Sequence, residues 1–346
     1  MAATQTEQVV LKGLPLEALE RWAVSVGEPA YRGQQLFDWM YHLGAQSAEA
    51  MDNLPKPLRQ RLTEETIIST AEIVSSTPSQ GGTTIKYLMA LGDGRQVEAV
   101  SMLEKGRHTV CVSSQVGCNV GCGFCATASM GLLRNLKAGE IVDQLLLARD
   151  DRQEPVTNVV FMGMGEPLLN YREVLQAAEL FHDPKGLGIG AGKITISTAG
   201  VVPRIEQFAR ENRPYRLAVS LNAATDEIRS RIMPINDTWP IAQLLSASRL
   251  YANRPKRTVT FEYVLLAGVN DSIADAKALV KLVQDIHCKV NLIPYNDIGG
   301  DFRRPAEEVI DAFFREVAGA SFPVMIRWSN GSDIAAGCGQ LAVEVA

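Results

Sequence analysis

Three cysteines lie close together in the segment CNVGCGFC, as Cys118, Cys122 and Cys125. A closed zinc site uses four ligands, and the common iron–sulfur clusters are also held by four thiolates. Three cysteines can each bind one iron of a four-iron cluster, and the fourth iron then keeps an open position. An amine and a carboxylate can chelate that iron, and an amino-acid-like cofactor carries both groups. The alternatives are a zinc ion with a distant fourth ligand and reduced cysteines in the core.

The cysteine usage of the whole chain favours metal binding or catalysis over disulfides. The chain has six cysteines, and four of them lie between positions 111 and 125. In a reducing compartment, such crowding is not typical of a disulfide framework. Gly117, Gly121 and Gly123 alternate with the three cysteines, and glycine lets the backbone turn tightly and approach a ligand closely.

Length and composition indicate a soluble globular protein. The 346 residues suffice for one large domain and a smaller one, and 46% of them are hydrophobic. No apolar run is long enough to span a bilayer, and the opening MAATQTEQVVLKGLP lacks the pattern of a signal peptide. We therefore predict a cytoplasmic location. The net charge of −5 gives no support for a dedicated nucleic-acid-binding module, although a local basic face can still attract phosphates.

The hydrophobic pattern divides the chain into three parts. Residues 10–68 carry apolar side chains at helical spacing, and residues 69–113 form short β-rich runs with a hairpin signal at GDGR. Strands and helices then alternate, which predicts a parallel sheet, open or closed into a barrel. Asn170 and Glu173 are typical of a capping box at the start of one helix. The predicted strands of this last part are 157–163, 193–198, 215–221, 257–266, 289–295 and 324–329.

Small and polar residues follow these strands, as GMGEP, STAG, SLNA and PYN. In parallel sheets and barrels, chemistry collects at the carboxyl ends of the strands. The sequence therefore predicts a site at this end of the sheet, next to the cysteine segment.

Several longer motifs resemble one family. Phe124 precedes the last cysteine of the triad, as in radical S-adenosylmethionine (SAM) enzymes, and GMGEP resembles their loop for the amino group of SAM. The motifs together, over about residues 10–341, resemble the RlmN/Cfr family of RNA adenine methyltransferases. They are VEAV (97–100), CVSSQVGC (111–118), NVVFMGMGEPLLN (158–170), STAGVVP (197–203), IPYN (293–296) and GSDIAAGCGQL (331–341).

The resemblance implies a fold and a set of domains. The fold is α/β, a partial (β/α)6 radical-SAM barrel with a small N-terminal helical domain and a short β-rich connecting segment. We expect the helical domain at residues 1–68, the connecting segment at 69–104 and the barrel at 105–346.

The resemblance also implies the reaction and its cofactors. The expected activity is methylation of C2 of adenine in large-subunit ribosomal RNA and in certain transfer RNAs. C2 is electron-poor and does not attack the methyl group of SAM, whereas a radical can add to it. The implied cofactors are one 4Fe-4S cluster, held by Cys118, Cys122 and Cys125, and two SAM molecules per turnover. The implied partners are the RNA substrates and a reductant, and the protein is expected to be a monomer without a membrane partner.

Two further cysteines and one glutamate acquire roles through the resemblance. Cys338 takes a methyl group as a nucleophile, and its methylene radical then joins the enzyme covalently to RNA. Glu98 is the implied proton acceptor. Cys111 is the implied resolving thiol, which releases the RNA and leaves a transient disulfide with Cys338. Cys288 is interpreted as a small buried hydrophobic residue.

The remaining expectations concern binding. Gly165 and Glu166 match the positions that meet the amino group of SAM. Asn222 stands where the family often carries His, and the chain ends without the basic tail of some relatives. The other expected SAM contacts are Ser197, Ser220, Leu221, Asn222 and Asn296. Candidate phosphate contacts, which could equally be solvated helix ends, are Arg204, Arg210, Arg213 and Arg216 in one group and Arg254, Lys256 and Arg257 in another.

Two other functions stay open at this point. The sister family methylates C8 of adenine with the same set of residues, and the motifs discriminate poorly between the two carbons. A non-enzymatic zinc-binding RNA module is the alternative from a different class, but zinc binding gives no reason for GMGEP or for the late GCGQL.

Overall fold

Residues 8–343 are described by a computed structural model of the chain. The expectations about a signal peptide at residues 1–7 and about the last three residues lie outside this range, as do the outermost ends of the predicted domains. No helix of the described residues is both long and apolar enough to cross a membrane.

Short helices form the N-terminal part, as their apolar spacing predicts. Leu19, Leu36, Leu58 and Leu62 are buried, one or two on each helix, so each helix turns one face inward. The elements are β1 (Val9–Val10), α1 (Leu16–Ser25), α2 (Tyr31–Phe37), a π-helical turn (Asp38–His42), a 3-10 turn (Ala48–Ala50), α3 (Lys56–Glu65) and β2 (Thr66–Ile67), with β1 parallel to β2.

One ten-stranded sheet organises the rest of the chain. Its order is β14-β13-β12-β11-β10-β9-β6-β5-β4-β3, parallel from β14 to β6 and antiparallel from β6 to β3. The β-rich connecting segment thus extends the sheet of the barrel, and the GDGR hairpin joins β4 to β5. The strands are β3 (Ala71–Pro78), β4 (Thr84–Leu91), β5 (Gln96–Glu104), β6 (Arg107–Cys111), β9 (Asn158–Phe161), β10 (Ile194–Thr198), β11 (Arg216–Ser220), β12 (Val259–Leu265), β13 (Cys288–Pro294) and β14 (Val324–Ile326).

Helices connect the parallel strands and cover the sheet, which confirms the α/β fold expected from the alternating pattern. Tyr263 of β12 and Phe313 of the last helix, for example, pack with ring centroids 5.4 Å apart. A short antiparallel pair, β7 (Gln115–Gly117) and β8 (Leu132–Asn135), flanks the cysteine loop. The helices are α4 (Ala126–Ser129), α5 (Ala138–Arg152), α6 (Tyr171–His182), α7 (Val202–Arg210), α8 (Asp226–Ile232), α9 (Ile241–Ala252), α10 (Ile273–Val283) and α11 (Glu307–Ala318).

A buried ion pair joins the N-terminal part to the barrel. Lys12 Nζ lies 3.1 Å from Asp143 Oδ1 of α5, and both side chains are fully shielded from solvent. The second oxygen of Asp143 accepts hydrogen bonds of 2.6 Å from the backbone N–H and the hydroxyl of Thr70. Gly13 packs so closely on Gly139 that a Cβ on Gly13 would lie 2.5 Å from the Gly139 nitrogen. The two parts therefore share one continuous apolar core.

The capping box expected at Asn170 is wrong. The Asn170 side chain donates instead to the carbonyls of Ser114 and Leu136, and it makes no cap on α6. Glu173 accepts from the backbone N–H of Ala138 at the start of α5. Both side chains therefore form hydrogen bonds to backbone groups of other segments, and neither caps its own helix.

Candidate functional site

The cysteine loop lies between β7 and α4, where the chain turns under tight constraints. Gly117 has φ +75°, and a Cβ there would overlap the Gly131 carbonyl oxygen, so only glycine fits. The backbone N–H of Cys125 donates to the Cys122 carbonyl, which folds the two cysteines into one turn.

The three cysteines line one cleft of about 150 Å³. Burial raises the pKa of Cys122 well above its ordinary value, and the neighbouring thiols of Cys125 and Cys118 raise it further. A set of soft sulfur donors with no disulfide among the described cysteines fits an iron–sulfur cluster. No three His, Cys, Asp or Glu side chains of residues 8–343, the cysteine triad included, are placed to hold one single metal ion together.

Residues after the parallel strands complete the walls of this cleft. Gly165 has φ +100°, and a Cβ there would lie 2.6 Å from the Cβ of Gln115, so a side chain at 165 is excluded. Glu166 is buried, and burial raises the pKa of its carboxyl to about 7. Its oxygens accept from the backbone N–H groups of Leu168 and Ala199, at 2.9 and 2.6 Å. The Glu166 side chain thus shapes the loop, and the backbone faces the cleft.

The structure separates the other expected SAM contacts into two groups. Ser197, Ser220, Asn222 and Asn296 line the cleft, whereas Leu221 does not and its side chain is fully buried in the apolar core. The Leu221 carbonyl accepts a hydrogen bond from Arg229 Nε.

Asn222 has a structural role of its own. Its φ is +57°, a conformation that asparagine tolerates better than most residues, and its Oδ1 accepts from the backbone N–H of Val264. The positive φ and this hydrogen bond fit an asparagine at position 222.

Cys338 is held in place by its backbone. The segment after β14 crosses the barrel, and Asn296 Nδ2 donates to the Cys338 carbonyl at 3.0 Å. The N–H of Ala126 donates to the Gly339 carbonyl, and the Thr127 hydroxyl donates to the Leu341 carbonyl. The thiol is therefore fixed beside the cysteine loop although it lies more than 200 residues further along the chain.

A second cavity, of about 280 Å³, adjoins the cleft. Cys111 and Cys338 both line it, whereas the cleft is lined by Cys338 alone of these two. Of the described residues, only Met162, Glu262 and Cys338 line both spaces. Cys338 therefore lies at the junction between the cleft of the cysteine triad and the cavity of Cys111.

Arg327 and Glu262 flank the two thiols, and sequence reasoning missed both. Their side chains approach to 3.4 Å, and the guanidinium also contacts the sulfur of Met162. Burial raises the pKa of Cys338, and the Arg327 charge opposes that rise. Burial likewise raises the pKa of Cys111 to about 12. The available signal was an arginine within the predicted strand 324–329.

Glu98 lies near the thiols but lines neither space. It shares one face of β5 with Val100, which pairs with Cys111. Its carboxylate contacts Lys86 Nζ at 2.9 Å and accepts from the N–H of Ala342 at 3.0 Å. Glu98 thus anchors the Cys338 segment to β5.

The two predicted basic groups are divided in the structure. Arg210 pairs with Glu206 and Arg213 with Glu211 and Glu179, so these charges are largely compensated. Arg204 lies over the ring of Tyr171. Arg257 donates to the Pro214 carbonyl. Arg216 lies apart from its group and lines the second cavity.

Comparisons with known proteins agree with this geometry. A family model described as "Radical SAM superfamily" matches residues 112–280, and one described as "Ribosomal RNA large subunit methyltransferase N-terminal domain" matches residues 9–68. A crystal structure of a radical SAM methyltransferase from Sphaerobacter thermophilus is 44% identical, superposes with a TM-score of 0.93, and covers 96% of this chain and 99% of that one.

Curated relatives extend the similarity over nearly the full length. The dual-specificity RNA methyltransferase RlmN of Geobacter sulfurreducens is 47% identical over 96% of this chain and 91% of the relative. The protein of the same name from Pelobacter propionicus is 45% identical over 97% of this chain and 96% of the relative. The chain therefore belongs to the RlmN family of radical SAM methyltransferases.

Proposed function

We propose that this protein methylates C2 of adenine in large-subunit ribosomal RNA and in certain transfer RNAs, with Cys338 carrying the methyl group. The RlmN relatives are named as dual-specificity RNA methyltransferases, which supports an RNA substrate. The observation that carries the proposal is the position of Cys338 on the shared wall of two spaces, with the cysteine triad in one and Cys111 in the other.

Membership of the radical SAM superfamily gives the cofactors, one 4Fe-4S cluster and SAM. Cys118, Cys122 and Cys125 are the proposed ligands, and the cluster with bound SAM supplies a 5′-deoxyadenosyl radical. The backbone of Gly165 and Glu166 is proposed to meet the amino group of SAM. Ser197, Ser220, Asn222 and Asn296, with the backbone of Leu221, are proposed to surround the rest of the molecule.

Each proposed step of the thiol chemistry uses groups around Cys338. Cys338 accepts a methyl group from a first SAM molecule as a thiolate, and the Arg327 guanidinium stabilises that charge. The radical that the cluster and a second SAM molecule would supply removes one hydrogen atom from this S-methyl group, and the methylene carbon on Cys338 then bonds to C2 of the adenine in the second cavity. The adduct loses one electron, for which the oxidised cluster would be the acceptor, and Glu98, which itself lines neither space, is the proposed acceptor of the C2 proton. Cys111 attacks the Cys338 sulfur, the bond between that sulfur and the methylene carbon breaks, and the carbon takes up a proton to become the methyl group. A transient Cys111–Cys338 disulfide then remains for a cellular reductant.

The organisation of the protein is part of the same proposal. Residues 1–68 are a helical accessory domain, 69–104 a connecting segment and 105–346 the radical-SAM barrel. The match of residues 9–68 to a methyltransferase N-terminal domain supports the first boundary. The enzyme is proposed to act as a monomer in the cytoplasm.

Nucleoside analysis tests the reaction directly. We expect RNA from cells that lack the protein to lose 2-methyladenosine, and a plasmid copy to restore it. The Cys338→Ala variant should fail to restore it, whereas Cys288→Ala, which changes a buried cysteine away from both spaces, should succeed. Recovery of 8-methyladenosine would assign the chain to the sister activity, and an unchanged nucleoside profile would refute methylation altogether.

A second experiment isolates Cys111. The Cys111→Ala variant retains Cys338 and Glu98 but cannot release the adduct, so we expect it to accumulate protein crosslinked to RNA. Denaturing gel electrophoresis with labelled RNA detects the crosslink. Release of methylated RNA by the variant at the wild-type rate would remove Cys111 from the mechanism.

A further inference from the structure

The second cavity carries two positive charges that the proposed chemistry does not use. Arg216 at the start of β11 and Lys289 on β13 both line it. Neither forms an ion pair within residues 8–343. The other charges on its wall are paired, Arg327 with Glu262 at 3.4 Å and Arg107 with Glu104 at 3.2 Å.

An unsatisfied amide lies beside these two cations. Asn291 is only 9% exposed, and its Oδ1 has no hydrogen-bond partner in the described part of the chain. Asn291 lies on β13 two residues after Lys289, and the two line the same cavity. Buried side-chain amides are normally hydrogen-bonded, so an unpaired amide oxygen that faces a cavity indicates a missing hydrogen-bond donor, such as a ribose hydroxyl.

The cations also destabilise each other in the absence of a ligand. Partial burial lowers the pKa of Lys289, and the nearby charge of Arg216 lowers it further. The Glu262 carboxylate offsets part of this shift, but it pairs with Arg327 and forms no ion pair with Lys289. An anion between Arg216 and Lys289 would compensate both charges. Arginine and lysine are also the donors that proteins use for phosphate oxygens.

The position of this group relative to Cys338 suggests which anion it binds. Asn291 pairs with Glu262 across β12 and β13, at the level of the thiols, and Lys289 lies about 6.6 Å further along the strand. The wall also includes Trp328 and Met325, which are 48% and 47% exposed and leave the cavity open to solvent. An adenine that reaches Cys338 through this opening brings its own ribose and phosphates into the cavity.

We propose that Arg216 and Lys289 bind a phosphodiester group next to the target adenosine, and that the Asn291 amide oxygen accepts a hydrogen bond from a ribose hydroxyl of the same nucleotide. The inference rests on the proposed function, since it places the adenine at Cys338. The site holds the flipped nucleotide by its backbone, so it fixes the distance between base and thiol without reading the sequence.

Paired changes in protein and RNA test this assignment. The probe is a short RNA hairpin with one unpaired adenosine in its loop, made with a neutral methylphosphonate at the phosphate on either side of that adenosine. Binding to the cluster-containing protein without reductant is measured by fluorescence anisotropy, so no turnover is needed. We expect wild type to lose about tenfold or more in affinity for one of the two neutral RNAs.

The variants should remove that sensitivity. Arg216→Gln and Lys289→Gln should each bind the native hairpin about tenfold more weakly than wild type does. Their affinity should fall little further when the hairpin carries the neutral methylphosphonate. Asn291→Asp, which places a carboxylate at the same point, should weaken binding further. Lys281→Gln on the outer helix α10 changes the same charge and should respond to the methylphosphonates as wild type does.

The opposite results are equally clear. If the fold-loss in affinity of each variant is the same for the native hairpin and for both neutral RNAs, the cations act at long range, and the site is refuted. Wild-type affinity in Arg216→Gln and Lys289→Gln would also refute it. Nucleoside analysis of the same RNA after turnover tests the proposed function separately. If the binding data show the expected coupling but no 2-methyladenosine is formed, the proposed function is contradicted and the phosphate site is retained.

Discussion

The buried ion pair between Lys12 and Asp143 allows a test of how strongly the N-terminal part is held to the barrel. We expect Lys12→Met to destabilise the protein strongly, because it leaves the Asp143 carboxylate without a counter-ion in a fully buried position. Removal of one partner of a buried ion pair typically costs about 3–5 kcal/mol. Asp143→Asn should cost a similar amount, since it leaves the ammonium group of Lys12 with only the Met40 carbonyl as an acceptor among the described residues.

The size of this effect can be expressed as a melting temperature. For 346 residues, the entropy of unfolding is about 0.7 kcal/mol per degree, so 4 kcal/mol lowers the midpoint by about 5–6 °C. The double variant Lys12→Met/Asp143→Asn removes both charges, and the new amide at position 143 retains an oxygen for Thr70. The double variant should therefore lose less stability than the sum of the two single losses. The difference, which is the coupling free energy of the pair, should be about 0.5–3 kcal/mol.

Differential scanning calorimetry with anaerobic protein provides the measurement. Exposed pairs typically contribute about 1 kcal/mol or less, so Arg61→Met, which breaks the exposed Arg61–Glu65 pair, is the control. Single variants that lose no more than this control, or losses that add without coupling, would refute the reasoning. A separate low-temperature transition for the N-terminal part would show that the two parts do not unfold as one unit.

Three further predictions concern the site. Gly165→Ala should weaken SAM binding at least about tenfold in equilibrium dialysis, because φ is +100° and Gln115 fills the space, whereas the control Gly81→Ala meets no neighbour and needs no positive φ; equal affinities would contradict this. Arg229→Met should lower the free energy of unfolding in urea by about 3 kcal/mol or more, since the guanidinium supports three backbone carbonyls, and a loss under 1 kcal/mol would be too small. Burial disfavours the thiolate of Cys111 and raises its pKa to about 12, so its alkylation by iodoacetamide, followed by mass spectrometry, should rise about tenfold per pH unit from 7 to 10 and should not level near 9.

The sequence correctly predicted the features of the fold that depend on local patterns. Alternating strands and helices predicted the parallel sheet, and GDGR predicted the hairpin between β4 and β5. The glycines around the cysteines also pointed to a tight loop, and Gly117 confirms it. These predictions work because strand and helix periods are local properties of the chain.

The parts that failed depend on partners far away in sequence. Asn170 is typical of a helix cap, but two carbonyls on other segments use its amide. Arg216 is a different case, because its expected contact with a phosphate stays a prediction. The structure adds that its side chain, at the exposed start of β11, lines the second cavity.

In the proposed reaction, the position of Cys338 separates two large substrates. Cys338 lines the cleft of the cysteine triad and the cavity of Cys111, and within residues 8–343 only Met162 and Glu262 share this boundary with it. A SAM molecule in the cleft and a nucleotide in the second cavity would then occupy separate volumes and need not displace each other. Asn296 and Ala126 donate to the carbonyls of Cys338 and Gly339, so the backbone that follows the thiol is held in place while the side chain keeps its own rotation. In the proposed reaction, a rotation of this one side chain would therefore suffice to carry the methyl group from cofactor to RNA.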